Sequence, residues 1–129
     1  MGIIIVADDS NTIVNIVKQT FEEKYQVLSA KDGKEAIDII NDNKLNEIVG
    51  MLLDINMPKS DGFEVLDYLK NNNLFSKVPV SIITGDDDLN VITRAFEYDI
   101  IDVLKKPFTK DNVKKIVDKT ISIRSINKM

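Results

Sequence analysis

The 129-residue chain contains no cysteine and no histidine. Without cysteine it has no disulfide, no thiol nucleophile and no thiolate metal site. Without histidine, the Ser-His-Asp triad and imidazole-ligated metals are excluded. Catalysis or metal binding must therefore rest on carboxylates, hydroxyls, lysines and backbone groups. Long apolar runs are absent too. The N-terminal stretch Ile3-Ile4-Ile5-Val6-Ala7 has no basic residues before it and stops at Asp8. It is neither a secretory leader nor a membrane span, and Val6 breaks a myristoylation pattern. The expectation is a soluble, cytoplasmic protein that does not contact membrane. Basic residues number 17 against 21 acidic, a net charge of −4, which argues against general binding of nucleic acid.

What the chain does have is an ordinary globular mixture, 43% hydrophobic and 29% charged, of a length suited to one domain with one core. Short apolar runs alternate with amphipathic stretches from end to end. Residues 3–7, 26–29, 48–53, 78–83 and 101–104 read as strands. Three of these are continuously apolar and β-branched, as in strands covered on both faces. Between and after them, apolar residues recur at helical spacing. The faces are Ile13/Ile16/Val17/Phe21, Ala36/Ile37/Ile40, Val65/Leu66/Leu69, Val91/Ile92/Ala95/Phe96 and Val113/Ile116/Val117/Ile121. Asp32 with Glu35, and Asp61 with Glu64, resemble capping boxes, and Thr109 is placed to cap the last helix. Pro58, Pro79 and Pro107 fall at loops or strand starts. No internal repeat or low-complexity linker is evident. Five β-α units in strict alternation predict an α/β fold: a doubly wound parallel sheet with helices on both faces. Such sheets bind ligands beyond the carboxyl ends of their strands.

Polar residues gather at those ends. The first strand ends at Asp8-Asp9, the third at Asp54, the fourth at Thr84-Gly85, and the fifth runs into Lys106-Pro107. Carboxylates brought together repel unless a cation joins them. A hard divalent ion suits such oxygen ligands, with Mg²⁺ the best fit and Mn²⁺ accepting the same donors. Lys106 adds a point charge, and Thr84 and the Gly85 N–H add donors, which together suit a phosphoryl group. The obvious nucleophile is a carboxylate, and Asp54 at the end of the central apolar strand is the candidate. Singly, an Asp after a strand reads as a turn residue, Thr84 as a cap and Lys106 as a solvated cation. The specificity lies in the combination.

In that combination the chain resembles the response-regulator receiver domain, the phosphoacceptor module of two-component signalling. The matching residues are Asp8-Asp9, then Asp54-Ile55-Asn56-Met57-Pro58 with Asp61-Gly62, then Thr84-Gly85, then Lys106-Pro107-Phe108. The resemblance implies a flavodoxin-like (βα)5 fold with strand order 2-1-3-4-5. It implies that Asp54 accepts a phosphoryl group from a histidine kinase or histidine phosphotransfer protein. Asp9 would bind Mg²⁺ directly, Asp8 through water, and Asn56 through its backbone carbonyl. Lys106 and Thr84 would hold phosphoryl oxygens, and Gly85 would leave room for them. Lys106-Pro107 would be a cis peptide, with Pro58 and Gly62 shaping the loop after the third strand. Asn56 and Asp86 occupy positions that tune phosphoryl lifetime in this family, and together they imply fairly quick self-dephosphorylation. Such a domain is a signalling phosphoacceptor rather than an enzyme with a separate substrate.

Two departures concern output. Many receivers carry Tyr or Phe three residues before the lysine, where this chain has Val103, and Tyr98 is out of register to replace it. Asp99 stands where glycine commonly ends the fourth helix. Charge is also uneven. Residues 105–129 hold eight Lys or Arg against two Asp, a net +6, leaving −10 for residues 1–104 within the overall −4. The basic last helix is either a solvated face or part of the helix 4–strand 5–helix 5 surface, which the resemblance offers for switching and homodimerisation. The expected domain spans 1–129, with a core of about 3–121. Residues 122–129 either end the last helix or begin a linker towards an output domain. A haloacid-dehalogenase-type phosphatase is the enzyme alternative, but its Asp-x-Asp nucleophile spacing after the first strand is missing. A flavodoxin-like cofactor binder would need a phosphate loop after that strand, which is also missing. A receiver-like scaffold working without phosphorylation is the third alternative.

Overall fold

The structure, a computed structural model, describes residues 2–57, 61–85 and 89–127, the last four of them by backbone alone. Pro58 and Asp86 lie outside the described residues. Strands and helices alternate: β1 (Gly2–Ala7), α1 (Asn11–Phe21), β2 (Tyr25–Ala30), α2 (Gly33–Asp42), β3 (Ile48–Asp54), α3 (Gly62–Asn71), β4 (Val80–Thr84), α4 (Leu89–Ala95), β5 (Val103–Lys105) and α5 (Lys110–Asn127). A short 3-10 turn, Leu45–Glu47, precedes β3. The strands form one parallel sheet in the order β2-β1-β3-β4-β5, so the expected flavodoxin-like receiver topology is observed.

The order reflects side-chain character. β1, β3 and β4 are buried almost throughout, whereas β2 and β5 are largely half-buried edges. Alternation along the strands divides the core. Ile3, Ile5, Met51, Leu53 and Ile82 point to the face covered by α2, α3 and α4. Ile4, Val6, Leu52 and Ile83 point to the face covered by α1 and α5. The predicted caps form. Asp32 accepts from the Glu35 N–H at 2.9 Å and Asp61 from the Glu64 N–H at 3.2 Å. Thr109 and Asn112 cap α5 reciprocally, each side chain accepting from the other's backbone N–H.

Several boundaries differ from the sequence pattern. β4 starts at Val80 rather than Val78, because the Val78 N–H closes a turn onto the Leu74 carbonyl and Pro79 has no N–H. β5 begins two residues late, although the Ile101 N–H and the Asp102 carbonyl already bond to β4. Phe96 does not join the buried face of α4: it is 58% exposed. It sits about 100° round the helix from Ala95, the one buried residue of α4. After it the chain tightens into i→i−3 bonds from Glu97 and Tyr98. Of residues 122–129, 122–127 belong to α5, which ends at Asn127, and 128–129 lie outside the described residues. Among the described residues, no helix is long and apolar enough to cross a membrane.

Candidate functional site

β1 delivers Asp8 and Asp9 to the carboxyl edge, between β2 and β3. The Asp8 N–H continues the ladder onto Ala30 (3.0 Å), which buries its side chain completely. Asp8 Oδ1 accepts from the Ser10 N–H at 2.8 Å, turning the chain into α1. Asp9 is exposed. β3 ends on Asp54, which pairs with Ile83 of β4 and is 1% exposed. Its Oδ1 accepts from the Asn56 N–H at 2.9 Å. Asp54 Oδ2 and Asp8 Oδ2 are both buried without a hydrogen-bond partner, a costly arrangement for carboxylates. One oxygen each from Asp8, Asp9 and Asp54 lies within 4.8 Å of the others.

Burial dominates the electrostatics of the two enclosed acids. It pushes the Asp54 carboxyl up from 3.8 to about 6, the Asp8 charge adding to the rise and the Asn56 N–H and Lys106 opposing it. Asp8 is raised for the same first reason, against the Ser10 N–H and Lys106. The donors suit a hard divalent cation: two orphaned buried carboxylate oxygens and an exposed third carboxylate beside them.

The opposing side comes from β4 and β5. Thr84 ends β4 at 1% exposure, and the Asn56 side-chain amide donates to its hydroxyl at 3.4 Å. The Lys106 N–H bonds to the Thr84 carbonyl at 2.7 Å, fixing the lysine beside β4. Its ammonium stands 3.7 Å from Asp54 Oδ2. Gly85 borders the lysine stem, since a Cβ there would lie 3.2 Å from Lys106 Cδ. The Lys106-Pro107 peptide is cis. Gly62 does not have a positive φ. What matters there is close approach, since a Cβ would fall 2.8 Å from both the Asp54 carbonyl oxygen and Ile55 Cα. The structure thus gathers Asp8, Asp9, Asp54, Asn56, Thr84, Gly85 and Lys106 at one edge. Val103 lies away from it, paired with Ile82 and packed on the α2-α3-α4 side of the core.

Four features carry no signal in the sequence pattern. Beside the site an open cleft of about 660 Å³ runs between α3 and α4, from Asp9 and Asn56 to Arg94. The Arg94 guanidinium lies 3.8 Å from the Phe63 ring centroid, and the Tyr98 hydroxyl donates to Asp67 on α3. Ser81 of β4 is fully buried and bonds to Thr120 of α5. Periodicity marks apolar faces, so it passes over a buried hydroxyl pair and contacts between helices.

The family described as response regulator receiver domain matches residues 4–118. The response regulator SaeR of Staphylococcus aureus is 32% identical over 107 residues, covering 82% of this chain and 44% of SaeR. A probable cyclic di-GMP phosphodiesterase of Vibrio cholerae is 30% identical over 104 residues, covering 81% of this chain and 23% of that protein. The chain therefore spans less than half the length of these two relatives. Among solved structures, the receiver domain of Francisella response regulator 1452 superposes with a TM-score of 0.78 at 30% identity, covering 95% of this chain and 98% of that one. By sequence match and by fold, the chain belongs to the response regulator receiver domain family.

Proposed function

We propose that the chain is a phosphoacceptor domain in which Asp54 takes a phosphoryl group from the phosphohistidine of a histidine kinase or phosphotransfer protein. The observation that carries this reading is Asp54 Oδ2, a buried carboxylate oxygen with no hydrogen bond, facing the Lys106 ammonium at 3.7 Å. A carboxylate oxygen of Asp54 attacks phosphorus in line. The P–N bond breaks, and its electron pair returns to the partner's imidazole. Lys106 and the Thr84 hydroxyl hold phosphoryl oxygens, and the Gly85 backbone approaches the group closely. Asp8, Asp9, Asp54 and the Asn56 carbonyl are the residues that would hold Mg²⁺, or Mn²⁺ in its place. The ion would neutralise charge on the transferring group. The exposed Asn56 amide sits beside the acceptor and supports a short phosphoryl lifetime through orientation of water. Gly62 and Pro107 shape the loops around the acceptor.

The domain works as a signalling switch with self-phosphorylating and self-dephosphorylating chemistry, and it acts in the cytoplasm. It presents the α4–β5–α5 surface for switching and for pairing with a second copy, without contacting nucleic acid itself. Residues 1–129 form this one domain, and SaeR and the cyclic di-GMP phosphodiesterase each extend well beyond the part that matches it. Beryllofluoride, which stands in for the phosphoryl group, provides the test by two-dimensional NMR. Binding is expected only with Mg²⁺ present, shifting the Thr84, Gly85 and Lys106 amides, and is lost in Asp54→Asn. A folded protein that leaves those amides unmoved with Mg²⁺ and beryllofluoride would overturn the reading.

A further inference from the structure

Helix α4 is poorly anchored. Among the described residues it spans seven, Leu89–Ala95, of which Ala95 is buried and Val91 half-buried against the core; Leu89 is 74% exposed, and Phe96, just past its end, 58%. An element with so little apolar burial sits at the low-stability end of a fold. Two clasps tie it to α3. Arg94 lays its guanidinium over the Phe63 ring, 3.8 Å from the centroid. Just beyond the helix, the Tyr98 hydroxyl donates to Asp67, while the Tyr98 ring lies 6.3 Å from each of Phe63 and Phe75. The α3 end of this clamp is fastened to the acceptor loop. Phe63 comes directly after Gly62, whose N–H bonds to the Ile55 carbonyl at 3.1 Å, one residue after Asp54. The cleft between the two helices opens onto Asp9 and Asn56.

We propose that the Arg94–Phe63 and Tyr98–Asp67 contacts form a clamp that holds α4 on α3 in the unphosphorylated domain and sets how readily the domain switches. This inference rests on the phosphoacceptor reading and adds the device that opposes switching. With valine at 103, no ring at that position can report the state of Thr84. Tyr98, between α4 and β5, is instead engaged with α3. A contact made in only one of two states biases their equilibrium by its full worth. Loosening the clamp therefore favours the switched state.

The test measures beryllofluoride affinity at saturating Mg²⁺ for wild type, Tyr98→Phe, Asp67→Ala and the double variant, with melting temperatures alongside. Losing one hydrogen bond is worth about 3- to 10-fold in the equilibrium. Each single variant should bind beryllofluoride tighter by that factor, and the double variant no tighter than either single one. A merely structural bond would lower the melting temperature and leave affinity unchanged. That result, weaker binding, or additive gains in the double variant would overturn the clamp. Asp67 is exposed on a helix, so its variant keeps the test valid if Tyr98→Phe does not fold. Wild type that binds no beryllofluoride would overturn the phosphoacceptor reading and the clamp with it; normal wild-type binding with unchanged variants overturns the clamp alone.

Discussion

Removing the charge of Asp54 should stabilise the metal-free domain at neutral pH. Asp54 is 1% exposed, and its carboxyl is raised from 3.8 to about 6. Because the folded state holds this proton more tightly than the unfolded chain, stability rises as pH falls through 6 and levels off below 3.8. At pH 7.5 the ionised group costs the fold about 3 kcal/mol, from the difference of the two values at about 1.4 kcal/mol per unit. At pH 5 about half of that cost remains, since the folded-state carboxyl is then mostly protonated. Asp54→Asn keeps the shape and the acceptor for the Asn56 N–H, and it removes the charge that the buried Asp8 repels. It should therefore be more stable than wild type by up to about 3 kcal/mol at pH 7.5, roughly 10 °C in Tm, and by about half as much at pH 5. The assay is denaturant unfolding in a chelator at pH 5, 6 and 7.5, repeated with Mg²⁺. Saturating Mg²⁺ should shrink or reverse the gap, because only wild type has the full ligand set. An Asn variant no more stable than wild type without metal at pH 7.5, or a gap that does not shrink on acidification, would refute the reasoning.

Three other perturbations probe the packing. Gly62→Ala places a Cβ 2.8 Å from the Asp54 carbonyl oxygen and Ile55 Cα. It should cost about 1–3 kcal/mol and weaken Mg²⁺ binding, read by unfolding and by metal titration. Thr120 gives its hydroxyl proton to the Ile116 carbonyl, so Ser81 is the donor between the two. Ser81→Ala should lose about 1 kcal/mol, measured by denaturant midpoint, because Thr120 keeps its own bond. Phe96→Ser should shift stability by no more than about 0.5 kcal/mol, since the ring lies on solvent. A larger loss would mean that α4 buries this side chain.

Much of this arrangement was legible because it rests on local rules. Continuous apolar runs marked β1, β3 and β4 as central, and short capping patterns at Asp32 and Asp61 marked helix starts. The strand ends then placed Asp8, Asp54, Thr84 and Lys106 along one edge, because parallel topology sends every carboxyl terminus the same way. Features set by tertiary packing were not legible. The start of β4 depends on a turn from Val78 to Leu74, and the exposure of Phe96 depends on where α4 loses its i→i−4 bonds. The value of Gly62 lies in the room it leaves beside Asp54 rather than in its backbone angles. The reach of Tyr98 and Arg94 to α3 links residues far apart in sequence, and helical spacing carries no signal for it.

The most direct measurement is where a phosphoryl group lands. After incubation with acetyl phosphate and Mg²⁺, borohydride reduces an acyl phosphate on Asp54 to homoserine, which peptide mass spectrometry can locate. The account predicts one modified residue, Asp54, dependent on Mg²⁺ and on Lys106. Modification elsewhere, or none in a folded Mg²⁺-bound protein, would contradict it.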